Sequence, residues 1–234
     1  MQVKKIEAFF RAYEEFLKGP DATKRLYVWE SQRIFQEQWN LEASDLAAMY
    51  DACLQNSQTR RLWNRQGYAP KEMMHRFAQL QPDYFRQMFR ELFDESKSED
   101  GRIGRFVFYC DQLFQSFLDT NPKSKIQGHD HDDGYEIISL YLSFKYPANY
   151  LPYQFDLFQA VLQKIGAVNP PLAHDTPRYF KVARTLNKLI QSQTNILDLH
   201  QKRLDPNQHY TGESLLLIYD FCCFVAGFEL EEEV

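Results

Sequence analysis

The apolar residues of this chain return every three or four positions, segment after segment, and that spacing constrains the fold more than any other feature. Val3, Ile6, Phe10, Tyr13 and Leu17 draw one face of a helix that Gly19 and Pro20 stop. Leu46, Met49, Tyr50, Cys53 and Leu54 repeat at i, i+3, i+4, i+7 and i+8 behind Ser44, which reads as an N-cap. Phe85, Met88, Phe89, Leu92 and Phe93 repeat the pattern, and Ile103, Phe106, Cys110, Leu113, Phe114 and Phe117 extend it to Asn121. Val, Ile and Thr are scarce beside Leu, Phe, Gln, Glu, Arg and Ala, a balance that favours helices over sheet. The spacing predicts an all-α fold, an irregular bundle of about ten helices.

Between these secure stripes the organisation is read from breakers. A helix is expected over 24–39, although Arg33 blurs its buried face. The stretch 56–70, which contains RRLWNRQGYAP, reads as a connection because Gly67 and Pro70 interrupt it. A short helix is expected on Met73, Met74, Phe77 and Leu80, with Pro82 in the first turn of the next. The polar run 94–101 reads as a break. Residues 122–134 are polar and long enough to join an N-terminal lobe, 1–121, to a C-terminal lobe, 135–228, though 1–228 as a single domain is equally compatible. Helices are expected over 135–144, from Phe155, and over 178–191, 195–204 and 213–226, ahead of an acidic tail at 229–234. A core needs no cross-link here: hydrophobic residues make up 44% of the chain and aromatics 15%.

Several function classes lose support. Cys53, Cys110, Cys222 and Cys223 have neither C-x-x-C spacing nor a disulfide framework, and read as small buried side chains in a reducing compartment. The N-terminus has no continuous apolar region of the kind an exported chain carries. The run from Leu215 to Phe228 is too short for a bilayer and contains Asp220, so a cytoplasmic protein is expected. Phosphate-cradling loops, H-E-x-x-H and G-x-S-x-G are absent, so no catalytic residue and no cofactor is assigned.

The segment HDHDDG (129–134) offers imidazoles and carboxylates. Its simpler reading is structural, with Asp133 and Glu136 spaced as a capping box. If a metal were held, His129, His131 and Asp132 would hold it. The His-Asp pairs also resemble those of helical metal-dependent phosphohydrolases of the HD superfamily, which gives an enzymatic reading. Those pairs sit on apolar helices, however, whereas these fall in a polar segment. His75, His174 and His200 read as ordinary surface or partly buried histidines.

Charge carries more. The net charge is −5, but 176–191 has Arg178, Lys181, Arg184 and Lys188 and no acid. At 3.6 residues per turn the four cations span about a third of the circumference, opposite Tyr179, Val182, Leu186, Leu189 and Ile190. Such a stripe suits phosphate contacts that position a duplex without reading bases, with a solvated polar face as the plainer reading of any single helix. A second basic segment interleaves Arg60, Arg61 and Arg65 with Trp63 and Tyr68, followed by Lys71 and Arg76. It suits clamping a nucleic-acid backbone or stacking bases, with Trp63 alternatively a core anchor. The tyrosines at 146, 150 and 153 carry the same ambiguity.

Phrases along the chain support a family resemblance: LW at Leu62-Trp63, PKEMMHRFAQLQPDYFRQMFRELFDESKSEDGRIGRFVFYCDQL (70–113), HDHDDGYEIISLYLSFKYPANYLPY (129–153) and YDFCCFVAG (219–227). Within them, LFDE, SLYL and KYP are the most specific. Together they resemble the helical N-terminal region of McrB-like restriction AAA-family NTPases. The resemblance implies a target-selecting domain that works beside an AAA-family motor, in cis or as a partner subunit in trans, with the motor absent from this chain. It carries no catalytic residue onto these positions. The expectation is therefore a non-catalytic recognition or adaptor domain touching DNA, with a protein-interaction scaffold as the second reading and a phosphohydrolase as the third.

Overall fold

Ile6, Phe9, Phe10, Tyr13 and Leu17 bury the inner face of α1 (Val3–Lys18), while Val3, the first residue of the expected stripe and of the helix, is exposed. The computed structural model describes residues 1–58, 60–64, 67–132 and 135–230, with Arg60 and Arg61 as backbone only. Pro20 ends α1 and opens a 3₁₀ turn (Pro20–Thr23), so α2 (Tyr27–Gln38) starts later than its sequence suggests. The blurred stripe of α2 has a physical cause. Gln32 is fully buried, donating to the Ser143 carbonyl at 3.0 Å and accepting from the Ser214 hydroxyl at 3.0 Å. Its amide serves as a polar pin in an apolar setting.

α3 (Leu46–Cys53) is capped by Asp45, whose carboxylate accepts from the Ala48 amide at 2.9 Å. The cap lies one residue after the expected Ser44. Next come a short α4 (Arg60–Trp63) inside the expected connection, then α5 (Pro70–Leu80) and α6 (Pro82–Leu92), each opened by a proline. α7 (Glu99–Thr120) begins within the run expected to break it, and its 22 residues span about 33 Å. α8 (Glu136–Lys145) and α12 (Leu216–Gly227) are buried along most of their length. α9 (Phe155–Lys164), α10 (Thr176–Ile190) and α11 (Thr194–Arg203) complete the set. The described residues are helical, with no β-strand among them.

Neighbouring helices pack in two chains of contact. One runs α8, α2, α3, α5, α6 and α7, and the other links α9 and α10 to α12, α12 to α1, and α1 to α11. α7 also touches α10, and the buried apolar residues form one cluster from Ile6 to Val225. Within it lies a buried ionic knot. Asp220 of α12 accepts from the Tyr13 hydroxyl at 2.6 Å, from Arg203 at 2.8 Å and from Arg25. Among the described residues no helix is long and apolar enough to cross a membrane.

Candidate functional site

α10 owes its orientation to Tyr179, Phe180, Ala183, Leu186 and Ile190, which are buried, while Val182 and Leu189 of the expected inner face are only partly covered. Asp175 caps its start by accepting from the Arg178 amide at 3.0 Å. With that face fixed, Lys181, Arg184 and Lys188 stand exposed on the other side. Among the described residues none of the three has a carboxylate within ion-pair distance. Arg178 is turned aside, donating to the Val168 carbonyl at 3.2 Å. Glu99 at the start of α7 is the acid that Arg184 acts on electrostatically. Burial pushes the Glu99 carboxyl up to about 7, against the opposing pull of Arg184. The cationic face of α10 is thus three residues wide, over about 10 Å of helix.

The second basic segment is less available. Trp63 is 2% exposed, so its ring is a core anchor and has no free face for a base. Lys71 is paired with Asp51 at 2.8 Å, and the pairing holds the Asp51 carboxyl below its usual range. Arg76 is exposed and packs over the Phe117 ring, 5.7 Å from its centroid. The side chains of Arg60 and Arg61, and all of Arg65, lie outside the described residues. A cleft of about 660 Å³ opens here, lined by Asp51, Trp63, Lys71, Glu72, His75 and Arg76. Its acids offset its bases, so it has no single sign of charge.

The two basic segments are not brought together. Arg184 faces Glu99 at one end of α7, and Arg76 covers Phe117 near the other. The intervening 18 residues of helix correspond to about 27 Å.

The HDHD segment differs from its sequence reading, for both histidines are buried. Asp130 adopts a left-handed conformation at φ 62°, and its carboxylate accepts from the Ala69 amide at 2.7 Å. This turn directs His129 and His131 inward, with ring centroids 5.6 Å apart. Asp132 is exposed and takes no part in the cluster, while Asp133 lies outside the described residues and α8 has Tyr135 at its N-cap position.

The hydrogen bonds fix the tautomers. The His131 amide donates to His129 Nδ1 at 3.1 Å, so His129 carries its proton on Nε2, which donates to Asp111 at 3.0 Å. His131 Nδ1 lies 2.6 Å from the His129 carbonyl, an acceptor only, so the bare nitrogen of His131 is Nε2. Burial pushes the His131 imidazole down to about 3, and it is neutral. Cys110 of α7 completes the group: one potential ligand atom from each of Cys110, His129 and His131 lies within 4.8 Å of the others. From its spacing alone Cys110 is a core side chain. It is one, but its place on the buried face of α7 also sets its sulfur beside two imidazoles. His75 is partly buried and His174 exposed, as expected, whereas His200 is buried.

Compared with known proteins, the chain matches no family model, no curated protein and no solved structure.

Proposed function

We propose that this chain is a non-catalytic recognition or adaptor domain that docks on the backbone of a nucleic acid through the outer face of α10. The observation that carries this reading is the exposure of Lys181, Arg184 and Lys188 on one side of a well-anchored helix, with no carboxylate paired to them among the described residues. Like charges at these spacings repel one another by a few tenths of a kcal/mol, and a row of phosphates relieves that repulsion. The neutral-leaning Glu99 limits the local offset to Arg184. The resemblance to McrB-like N-terminal regions agrees with this role and adds an AAA-family motor, in cis or in trans, as the partner to look for.

The test is binding to a short duplex as a function of salt. Three phosphate contacts give a slope of about −2.7 in log K against log salt, or roughly a 40-fold loss between 50 and 200 mM. Arg184→Glu with Lys188→Glu should abolish most of that dependence and of the affinity at low salt. Absence of binding to duplex, single-stranded or modified DNA at low salt refutes the reading, as does binding that the double reversal leaves unchanged. In either case a protein-docking scaffold becomes the better account.

A further inference from the structure

The buried group at the inner side of α7 has a chemistry that nucleic-acid docking does not use. Cys110, His129 and His131 come from two segments that only the fold brings together, and all three are shielded from water. A fourth donor stands beside Cys110. The thioether sulfur of Met88, on α6, is 3.8 Å from Cys110 Sγ and is fully buried.

Each imidazole is oriented from behind in the way a ligating histidine is. His129 gives its Nε2 proton to the Asp111 carboxylate at 3.0 Å, and His131 gives its Nδ1 proton to a backbone carbonyl at 2.6 Å. These bonds fix the ring planes and leave the opposite nitrogens as lone pairs. The His131 Nε2 lone pair is poorly served in the present packing. Its polar neighbour is the Tyr141 hydroxyl, at a long 3.5 Å, and that hydroxyl also bonds Tyr50 much more closely, at 2.6 Å. A buried base with so long a contact calls for a better partner.

We infer that Cys110, His129 and His131, with Met88 as a weak fourth donor, bind one thiophilic transition-metal ion, copper before zinc. A thiolate, two imidazoles and a thioether form a soft set, and two histidines and a cysteine with a distant methionine suit copper, whereas zinc prefers a fourth strong ligand. On binding, Cys110 Sγ–H gives its proton to solvent and the thiolate donates a pair to the metal. His131 ligates through Nε2. His129 ligates through Nδ1, exchanging its 3.1 Å bond from the His131 amide for the metal. Asp111 lies at the surface and holds the His129 ring, so it marks the side from which the ion enters. The group is already gathered, because Cys110 Sγ and one ring nitrogen of each histidine lie within 4.8 Å of one another.

The experiment is titration of the metal-stripped full chain with Cu(II) under anaerobic conditions. One equivalent should bind and produce an intense visible thiolate-to-copper charge-transfer band. The melting temperature should rise with copper for the wild type. Cys110→Ala should lose the band, His131→Gln should weaken copper binding by tenfold or more, and Met88→Leu should keep stoichiometric binding but shift the band. Circular dichroism and a cooperative melt of each metal-free variant establish that it is folded. If Cys110→Ala does not fold, the wild-type band and its shift in Met88→Leu decide the matter. Failure of the folded wild type to bind stoichiometric copper overturns the inference, as does a band that persists in Cys110→Ala. A preference for zinc over copper in competition overturns the assignment to copper.

Discussion

Replacing Asp220 with Asn should destabilise the fold by about 3–5 kcal/mol, although the two side chains have nearly the same shape. The carboxylate is 1% exposed and accepts from three donors, namely the Tyr13 hydroxyl, Arg203 and Arg25. An asparagine keeps one oxygen but places an NH₂ where the other stood, so two donors confront a shell composed of donors. The guanidinium of Arg203, 5% exposed, is then left as a buried cation without its counter-ion. Its remaining partners, the Ala22 carbonyl at 2.6 Å, His200 Nδ1 at 3.2 Å, the Tyr13 hydroxyl at 3.4 Å and the Trp29 ring, do not neutralise it. Arg25 is 27% exposed and can turn toward water, so Arg25→Met should cost about 1 kcal/mol and serves as the internal comparison. For a chain of this size the Asn variant should melt roughly 6–20 °C lower. Urea unfolding followed by circular dichroism measures the change directly, and a loss under about 1 kcal/mol refutes the account of the knot as a mutually dependent unit. The pH dependence has a definite sign. Burial raises the Asp220 carboxyl, but Arg203 and Arg25 outweigh it and the folded value lies below the ordinary one. The stabilisation is therefore present above the ordinary carboxylate range and is lost as pH falls through the folded value. The Asn variant should lack that acid limb.

Glu99 gives the opposite sign. Burial raises its folded value from 4.5 to about 7, so its contribution falls as pH rises from the unfolded toward the folded value. The interval from 4.5 to 7 sets a ceiling of about 3.4 kcal/mol, which partial exposure reduces to about 1–2 kcal/mol; Glu99→Gln should remove that decline between pH 5 and 8, and identical stability profiles of the two proteins would contradict it. At the start of α3, Asp45→Ala should cost about 1 kcal/mol by denaturant titration while Ser44→Ala changes little, and the reverse order would show that the cap lies at the earlier residue.

Where an element depends on its own periodicity, the sequence anticipates it. α3 and α6 bury the residues their spacing selects, and α1 and α10 bury most of theirs, because a wide apolar stripe packs best facing inward. The misreadings occur where tertiary contacts overrule local pattern. Gln32 and Arg102 are polar residues on buried faces, matched by carbonyls and a hydroxyl from other elements that no window of sequence can supply. α7 starts at Glu99 despite Gly101 and Gly104, since packing against α6 offsets the low helix propensity of glycine. The cysteine–histidine group was legible only in part. His129 and His131 stand out as neighbours, but their burial follows from the left-handed turn at Asp130 and its bond to Ala69, and Cys110 and Met88 reach them through helix packing. Trp63 was open to two readings from sequence, and its burial selects the anchor.

α7 also sets the distances on which the functional readings depend. Glu99, which marks Arg184, is separated from Cys110 by 11 residues of helix, or about 16 Å, and from Phe117, which marks Arg76, by about 27 Å. The first separation keeps the metal group out of contact with the α10 face, so copper binding and nucleic-acid docking can be tested without one disturbing the other. The second corresponds to about eight base pairs of duplex at 3.4 Å each. A duplex lying along α7 engages Arg76 as well as α10 only if it is at least that long. Oligonucleotide length therefore distinguishes the two modes. Docking on α10 alone reaches full affinity, with a slope of about −2.7, on any duplex that covers three phosphates. Docking on both ends steepens the slope by about one unit per added cation once the duplex exceeds that length, and Arg76→Glu removes the increment without touching the α10 contribution.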